Sequence, residues 1–272
     1  MDDLVGPHQE VFVGKARQIA NELLNETPVR HPMMGLVEFD VTKAREAIRR
    51  HKEATGEPLS FTAWLLKCIA QAASEHKEVH AYRKGRNRLV TFDDVDIGVP
   101  VERDVGGRKL PMGVVLRKVN EKSFLDIHKE IRAFQARPVQ PSGIGILPQG
   151  ERVPRLVAVF ARMPRILRKI VWWKFRRDPI LKKRMMGTIG VTAVGMYGHS
   201  GGWALTPGGY QSLVIAVGGI SKRPVLEDGA LGEREFLDLT LMLDHDVVDG
   251  APAARFASRL GELLESGFAL EL

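Results

Sequence analysis

Near the C-terminus the hydrophobic pattern changes period within a few residues. Leu237, Leu239, Leu241 and Leu243 alternate with Asp238, Thr240, Met242 and Asp244, the two-residue repeat of a strand with one face buried. After Gly250 the spacing turns helical: Pro252 falls in the first turn, and Ala253, Phe256, Leu260, Leu263 and Leu264 form one stripe. A strand that runs straight into an amphipathic helix calls for a sheet covered by helices, which restricts the chain to α/β architectures. His245 stands at the junction, where the strand stops, four residues before Asp249 and five before Gly250.

The same alternation runs through the rest of the chain. A basic helical lead over 14–25 precedes a strand at 35–40 and a charged amphipathic helix predicted from Thr42 to Thr55. Ser60 has the chemistry of an N-cap, and Phe61, Trp64, Leu65, Cys68, Ile69, Ala72 and Ala73 share one helical face through Lys77. Cys68 lies on that stripe and reads as a small buried hydrophobe, not a nucleophile. Strands are predicted within 88–101 and at 112–116, 187–194 and 212–217, with a turn at Asp228 and Gly229 before the last one. A helix from Glu121 to Ala136 places Phe124, Ile127, Ile131 and Phe134 inward. No Pro/Ser/Gly linker divides the chain, so one domain is expected over 14–272 after a lead of 1–13, with an insert at 138–186. Pro138, Pro141, Gly143, Gly145, Pro148 and Gly150 open that insert.

With 272 residues the chain is long enough to bury a core without staples. Its net charge of +7 is local: residues 152–184 hold twelve Lys or Arg against Asp178, which makes that stretch +11 and the remainder 7 − 11 = −4. A uniformly basic nucleic-acid binder is therefore excluded. The single cysteine rules out an intrachain disulfide framework and fits a reducing compartment. The acidic start, Met1 to Pro7, lacks the features of a secretory signal, and no apolar run approaches the roughly 18 residues of a spanning helix. A cytoplasmic protein is expected.

His245-Asp246-Val247-Val248-Asp249-Gly250 resembles the His-x-x-x-Asp-Gly signature of the dihydrolipoyl acyltransferase catalytic domains of 2-oxoacid dehydrogenase complexes, a signature that chloramphenicol acetyltransferases share. Six residues alone are a weak pattern, but the similarity continues through Arg17-Gln18-Ile19-Ala20, the run from Val37 to Thr42, the run from Leu59 to Lys67, Val95 to Val101, Lys122-Ser123-Phe124, Gly187 to Thr192 and Ala253-Ala254-Arg255-Phe256. It implies a two-layer chloramphenicol acetyltransferase-like fold, a mixed sheet covered by helices, built into trimers with the site at each subunit interface. The apolar tail from Leu264 to Leu272 is similar to that of members that build larger cubic cores.

The resemblance also implies roles. His245 is the general base, a task its imidazole suits at neutral pH, acting on a thiol or other nucleophile that attacks an acyl thioester of coenzyme A. Thr192, about fifty residues earlier, aligns with the hydroxyl that stabilises the oxyanion, and equally fits a plain β-former. Asp249 is an orienting carboxylate paired with Arg17, or a helix N-cap, and Gly250 permits the turn into the helix. Ser221, Lys222 and Arg223 are assigned to coenzyme A, and no metal is expected.

Two departures bear on specificity. Asp246 stands where the dehydrogenase branch commonly has arginine; it either lies close to His245 and raises its pKa or faces solvent. Thr206-Pro207-Gly208-Gly209 replaces a Pro-rich stretch that lines the channel in relatives. The chain carries no lipoyl group, so a separate lipoylated protein or another acceptor is implied. A catalytically idle trimeric scaffold is the competing reading.

The insert mixes its cations with Trp172, Trp173 and Phe175, and Pro154, Pro164 and Pro179 divide it into short helical pieces. Three readings stay open: a hairpin packed on the body with a solvated basic face, a membrane-surface contact through 153–180 serving a lipid-like acceptor, and a guide for coenzyme A phosphates.

Overall fold

The computed structural model describes residues 31–105, 108–137, 162–193, 201–205, 208–227 and 229–270, with positions 9, 18, 21, 22, 24, 25, 27, 159, 160 and 195. Of the expected helical lead only Gln18, Asn21, Glu22, Leu24 and Asn25 are described, and all five are helical. Arg17, residues 138–158 and the Thr206-Pro207 pair lie outside the described residues.

Six strands form one mixed sheet: β1 (Pro32–Asp40), β4 (Ile97–Val105), β5 (Arg108–Leu116), β6 (Ile189–Ala193), β7 (Leu213–Glu227) and β8 (Ala230–Asp244), in the order β1-β8-β7-β6-β4-β5. The β7-β6 and β6-β4 pairs are parallel, and the others antiparallel. Two short strands, β2 (Tyr82–Arg83) and β3 (Leu89–Val90), make a separate hairpin.

The helices are α1 (Thr42–Thr55), α2 (Phe61–Glu75), α3 (Phe124–Ala136), α4 (Arg165–Arg177), α5 (Pro179–Met186) and α6 (Gly250–Ser266). α2 is the central one. The Ser60 hydroxyl accepts from the Ala63 N–H at its start, and its Trp64, Leu65, Leu66, Cys68 and Ile69 are buried between α3 and α6. Leu237, Leu239, Leu241 and Leu243 of β8 join the same core, as do Ile189 and Val191 of β6 and Phe256, Leu260, Leu263 and Leu264 of α6. Burial, the main cause, drives the Cys68 thiol pKa upward, as suits a packing residue.

Several expectations are corrected. The helix expected from Glu121 begins at Phe124, because the Ser123 hydroxyl caps it by accepting from the Asp126 N–H. α2 stops at Glu75 and a 3-10 turn over Lys77–His80 follows. β7 does not end at Val217 but continues to Glu227 through a bulge at Gly218 and Gly219. The largest correction concerns β8. Its alternate face, expected to meet solvent, is also closed: Asp238, Thr240 and Met242 are buried along with the leucines. The segment Gly201–Leu205 lies on that face, with the Gly202 N–H donating to Asp238 Oδ2 at 2.6 Å and the Trp203 indole to the Val37 carbonyl at 3.0 Å. The passage is tight enough that a Cβ on Gly218 would collide with the Gly202 carbonyl.

α4 starts directly after Pro164 and α5 begins on Pro179 with Asp178 as its cap, as the prolines implied. α4 docks by Trp172 and Phe175, which pack with Tyr210 in a second apolar cluster. Its other side leaves Ile166, Ile170 and Trp173 exposed.

Candidate active site

His245 follows β8 on a turn whose backbone is fully tied. Its N–H donates to the His31 carbonyl at 3.0 Å, the Asp246 N–H donates to Asp244 Oδ1 at 3.1 Å, and the Val247 and Val248 N–H groups donate to the Asp244 carbonyl. The imidazole itself is half-exposed, and its Nδ1 lies 3.7 Å from Asp249 Oδ1. That is ion-pair range and longer than a hydrogen bond. Asp249 occupies the N-cap position of α6 but makes no side-chain cap bond, so of its two expected roles only the approach to His245 is visible. Its other expected partner, Arg17, is among the residues not described.

Below the turn, Asp244 is half-buried and its carboxyl is raised above the usual carboxylate range, chiefly by burial. Lys182, from α5, supplies a nearby cation. Its ammonium sits 4.3 Å from the centre of the Tyr82 ring, and burial holds its pKa down to about 8.

Asp246 takes the second of its expected alternatives, an exposed position, with its carboxylate engaged there. Its carboxylate is turned to His31 Nδ1 (3.1 Å) and to Arg83 Nη1 (3.2 Å), and its side chain is 29% exposed. His31 and Arg83 are the site residues that sequence reasoning missed. Both are remote in sequence, and neither lies in a motif.

Thr192 lies on β6, paired with Ala216 of β7, which in turn pairs with Thr240 of β8. Ile189 and Val191 point to the helices, so Thr192 lies on the opposite face with Asp238 and Thr240. The level of Thr192 is Thr240, five residues before His245. At about 3.4 Å per residue the two catalytic candidates are therefore offset by roughly 17 Å along the strands. One chain does not bring them together. From the Thr192 level back along β8 to Phe236, three buried polar atoms, Thr240 Oγ1, Asp238 Oδ1 and Ser221 Oγ, have no hydrogen-bond partner among the described residues.

Of the residues assigned to coenzyme A, Ser221 is thus buried at its hydroxyl, whereas Lys222 and Arg223 are exposed on the outer part of β7 and paired with Glu233 (2.7 Å) and Glu38 (2.5 Å). Among the described residues no group of three or more His, Cys, Asp or Glu is placed to hold a metal ion. No described helix is long and apolar enough to cross a membrane.

Known proteins place this geometry. The lipoamide acyltransferase component of the branched-chain alpha-keto acid dehydrogenase complex of Bacillus subtilis is 26% identical over 269 residues, covering 96% of this chain and 53% of the relative. The dihydrolipoyllysine-residue acetyltransferase component of the pyruvate dehydrogenase complex of Mycoplasma pneumoniae is 26% identical over 218 residues, covering 79% of this chain and 43% of the relative. The chain spans about half the length of these curated relatives. Among solved structures, a probable dihydrolipoamide acetyltransferase from Listeria monocytogenes superposes with a TM-score of 0.68 at 20% identity, covering 97% of both chains. The dihydrolipoamide acetyltransferase of Azotobacter vinelandii, studied for the role of a serine, a histidine and an asparagine in its catalytic mechanism, gives 0.67 at 24% identity, covering 98% of this chain and 96% of that one. The fold is theirs. The family model described as 2-oxoacid dehydrogenases acyltransferase (catalytic domain) matches residues 7–140 and 178–271 and passes over the whole of α4. The chain belongs to the 2-oxoacid dehydrogenase acyltransferase family, as a copy of its catalytic domain.

Proposed function

We propose that this chain is an acyltransferase that moves an acyl group between coenzyme A and a thiol, with His245 as general base and Thr192 as oxyanion donor. The observation that carries the reading is His245 standing half-exposed on a rigid turn at a strand end, with Asp249 four residues later facing its Nδ1. The Azotobacter relative, with a histidine and an asparagine at the same four-residue spacing among the residues studied for its mechanism, supports it. In the forward step Nε2 of neutral His245 takes the proton of the attacking thiol. The sulfur bonds to the thioester carbon, and the resulting oxyanion accepts a hydrogen bond from the Thr192 hydroxyl. Collapse breaks the original carbon–sulfur bond, and the imidazolium returns its proton to the departing thiolate.

Because Thr192 and His245 are offset within one chain, His245 of one copy meets Thr192 of the next in a closed trimer. The solved cubic core of a pyruvate dehydrogenase complex, 23% identical with a TM-score of 0.67, makes a larger assembly of such trimers a natural extension. The chain acts as a single catalytic domain over 14–272 in the cytoplasm, on dihydrolipoyl groups carried outside this domain. Ser221, Lys222 and Arg223 hold coenzyme A. The ion pairs of Lys222 and Arg223 are exposed enough to exchange for phosphate at small cost.

The test is to incubate the purified protein with a panel of acyl-coenzyme A thioesters, with and without dihydrolipoamide, and follow free thiol. Turnover that disappears in His245→Ala is expected; equal turnover in the variant sinks the reading.

A second reading rests on α4, which carries six Lys or Arg and no acidic residue beside its exposed Ile166, Ile170 and Trp173. A helix of that make lies on an anionic lipid surface. Co-sedimentation with phosphatidylglycerol vesicles, lost in Ile166→Asp/Ile170→Asp and absent with phosphatidylcholine alone, is expected. A change of oligomeric state in that variant, with no vesicle binding by the parent, assigns the face to another copy of the chain.

A further inference from the structure

His245 has to be aimed, and its own contacts do little of the aiming. The imidazole is 51% exposed, and Asp249, itself 85% exposed, stands at 3.7 Å. Around the turn, every backbone N–H from His245 to Val248 is committed, to the His31 carbonyl, to Asp244 Oδ1 or to the Asp244 carbonyl. Those bonds fix the shape of the turn. Val248 anchors the turn in the core and the His31 carbonyl holds its start; between them one side chain, Asp246, adds a link to two other elements: Oδ1 accepts from His31 Nδ1, just before β1, and Oδ2 pairs with Arg83 Nη1 on the β2-β3 hairpin.

We infer that Asp246, clamped between Arg83 and His31, is a positioning residue that orients the His245 turn for acyl transfer. The inference rests on the acyl-transfer reading above and adds a residue set to it. The clamp binds no substrate. It acts through the backbone it shares with His245, so its loss changes how often the imidazole points at the thiol and leaves thioester binding alone. Displacements of about 1 Å at a reacting group cost on the order of a hundredfold in rate, and a turn released at one of its two flanks is free to move by that much.

The experiment uses the full chain and four readouts: kcat and KM for an acyl-coenzyme A, thermal midpoint, and oligomeric state. Asp246→Ala and Arg83→Ala are each expected to lower kcat by about 10- to 100-fold with KM within about twofold. The pair combined should be no worse than Asp246→Ala alone, because that variant already cuts the link that Arg83→Ala removes. Reversing the charges, Asp246→Arg with Arg83→Asp, is expected to recover most of kcat. Asp246→Asn, which keeps the shape, and Arg83→Lys, which keeps the charge, serve where the alanine variants do not fold. Full kcat in the folded single variants, or losses that multiply without recovery in the reversed pair, overturns the clamp. A parallel fall in kcat and thermal midpoint, unrecovered by reversal, reduces it to general support of the fold and also overturns it. If the parent chain turns over no thioester, the acyl-transfer reading fails on its own. The clamp is then read in histidine-labelled NMR, where one His245 ring signal in the parent and several in Arg83→Ala are expected, and unchanged signals refute it.

Discussion

Two levels of strand β8 are built on opposite terms. At its C-terminal end the backbone N–H groups from His245 to Val248 and the carboxylates of Asp244 and Asp246 all have partners, and the imidazole they frame faces outward. Further back, from Thr240 at the level of Thr192 to Phe236, the strand is closed over by Gly201–Leu205, yet Ser221 Oγ, Asp238 Oδ1 and Thr240 Oγ1 are buried without partners among the described residues. A buried polar atom left unbonded costs about 1–3 kcal/mol, so the fold tolerates strain at one level and none at the other. The work is divided between the two levels. The His245 end is a rigid, outward-facing half-site, and the Thr192 level is an enclosed half that carries unfilled hydrogen-bonding capacity.

The comparison breaks most visibly at His245. His245→Ala should lower kcat by about 10²–10⁴ while leaving the thermal midpoint unchanged, because the side chain is half-exposed and supports no packing. Steady-state kinetics beside a melting curve check both. Thr192→Val keeps the shape of a strand residue and removes the hydroxyl; a loss of about 10²–10³ in kcat is expected, with Thr192→Ser retaining most activity. Equal activity in the valine variant would return Thr192 to the role of a plain β-former.

A smaller effect probes buried polarity beyond the sheet. His80 is fully buried, and burial, the largest cause, holds its pKa near 4 against an ordinary 6.5. The folded chain therefore keeps it neutral while the unfolded chain takes up a proton below pH 6.5. Its stabilising contribution is complete above pH 6.5 and is lost as pH falls toward 4, up to roughly 3 kcal/mol. Urea unfolding at pH 7 and pH 5 should show a decline that His80→Leu flattens. The smallest effect belongs to Thr240. Replacing its unpartnered hydroxyl by the isosteric methyl of Thr240→Val should be neutral or stabilising, within about 1 kcal/mol. A loss above about 2 kcal/mol would mean that the hydroxyl is bonded in solution and the two levels of β8 are alike.

The sequence is most legible where one hydrophobic period acts alone. α1 runs from Thr42 to Thr55 as its spacing implies, the Ser60 cap is in place, and the four leucines of β8 point into the core. Legibility fails where a distant segment decides the outcome. The second face of β8 is met by Gly201–Leu205 at Asp238 and by Gly208 at Met242, neither with a period to read, and β7 continues through Gly218, Gly219 and Pro224, three residues that read locally as breaks. The site divides in the same way. His245 and Thr192 are recognisable from motif and alignment, but their offset along the strands follows from register, and the partners of Asp246 come from His31 and Arg83, far away in sequence.

The division of the site between neighbouring copies is tested most directly by mixing two dead variants. His245→Ala and Thr192→Val chains, co-expressed in equal amounts and assembled into trimers, should regain about one quarter of the parent activity. In a random cyclic trimer about one interface in four joins an intact histidine to an intact threonine. Activity that stays at the level of the separate variants would place both residues of each site in one chain and contradict the account.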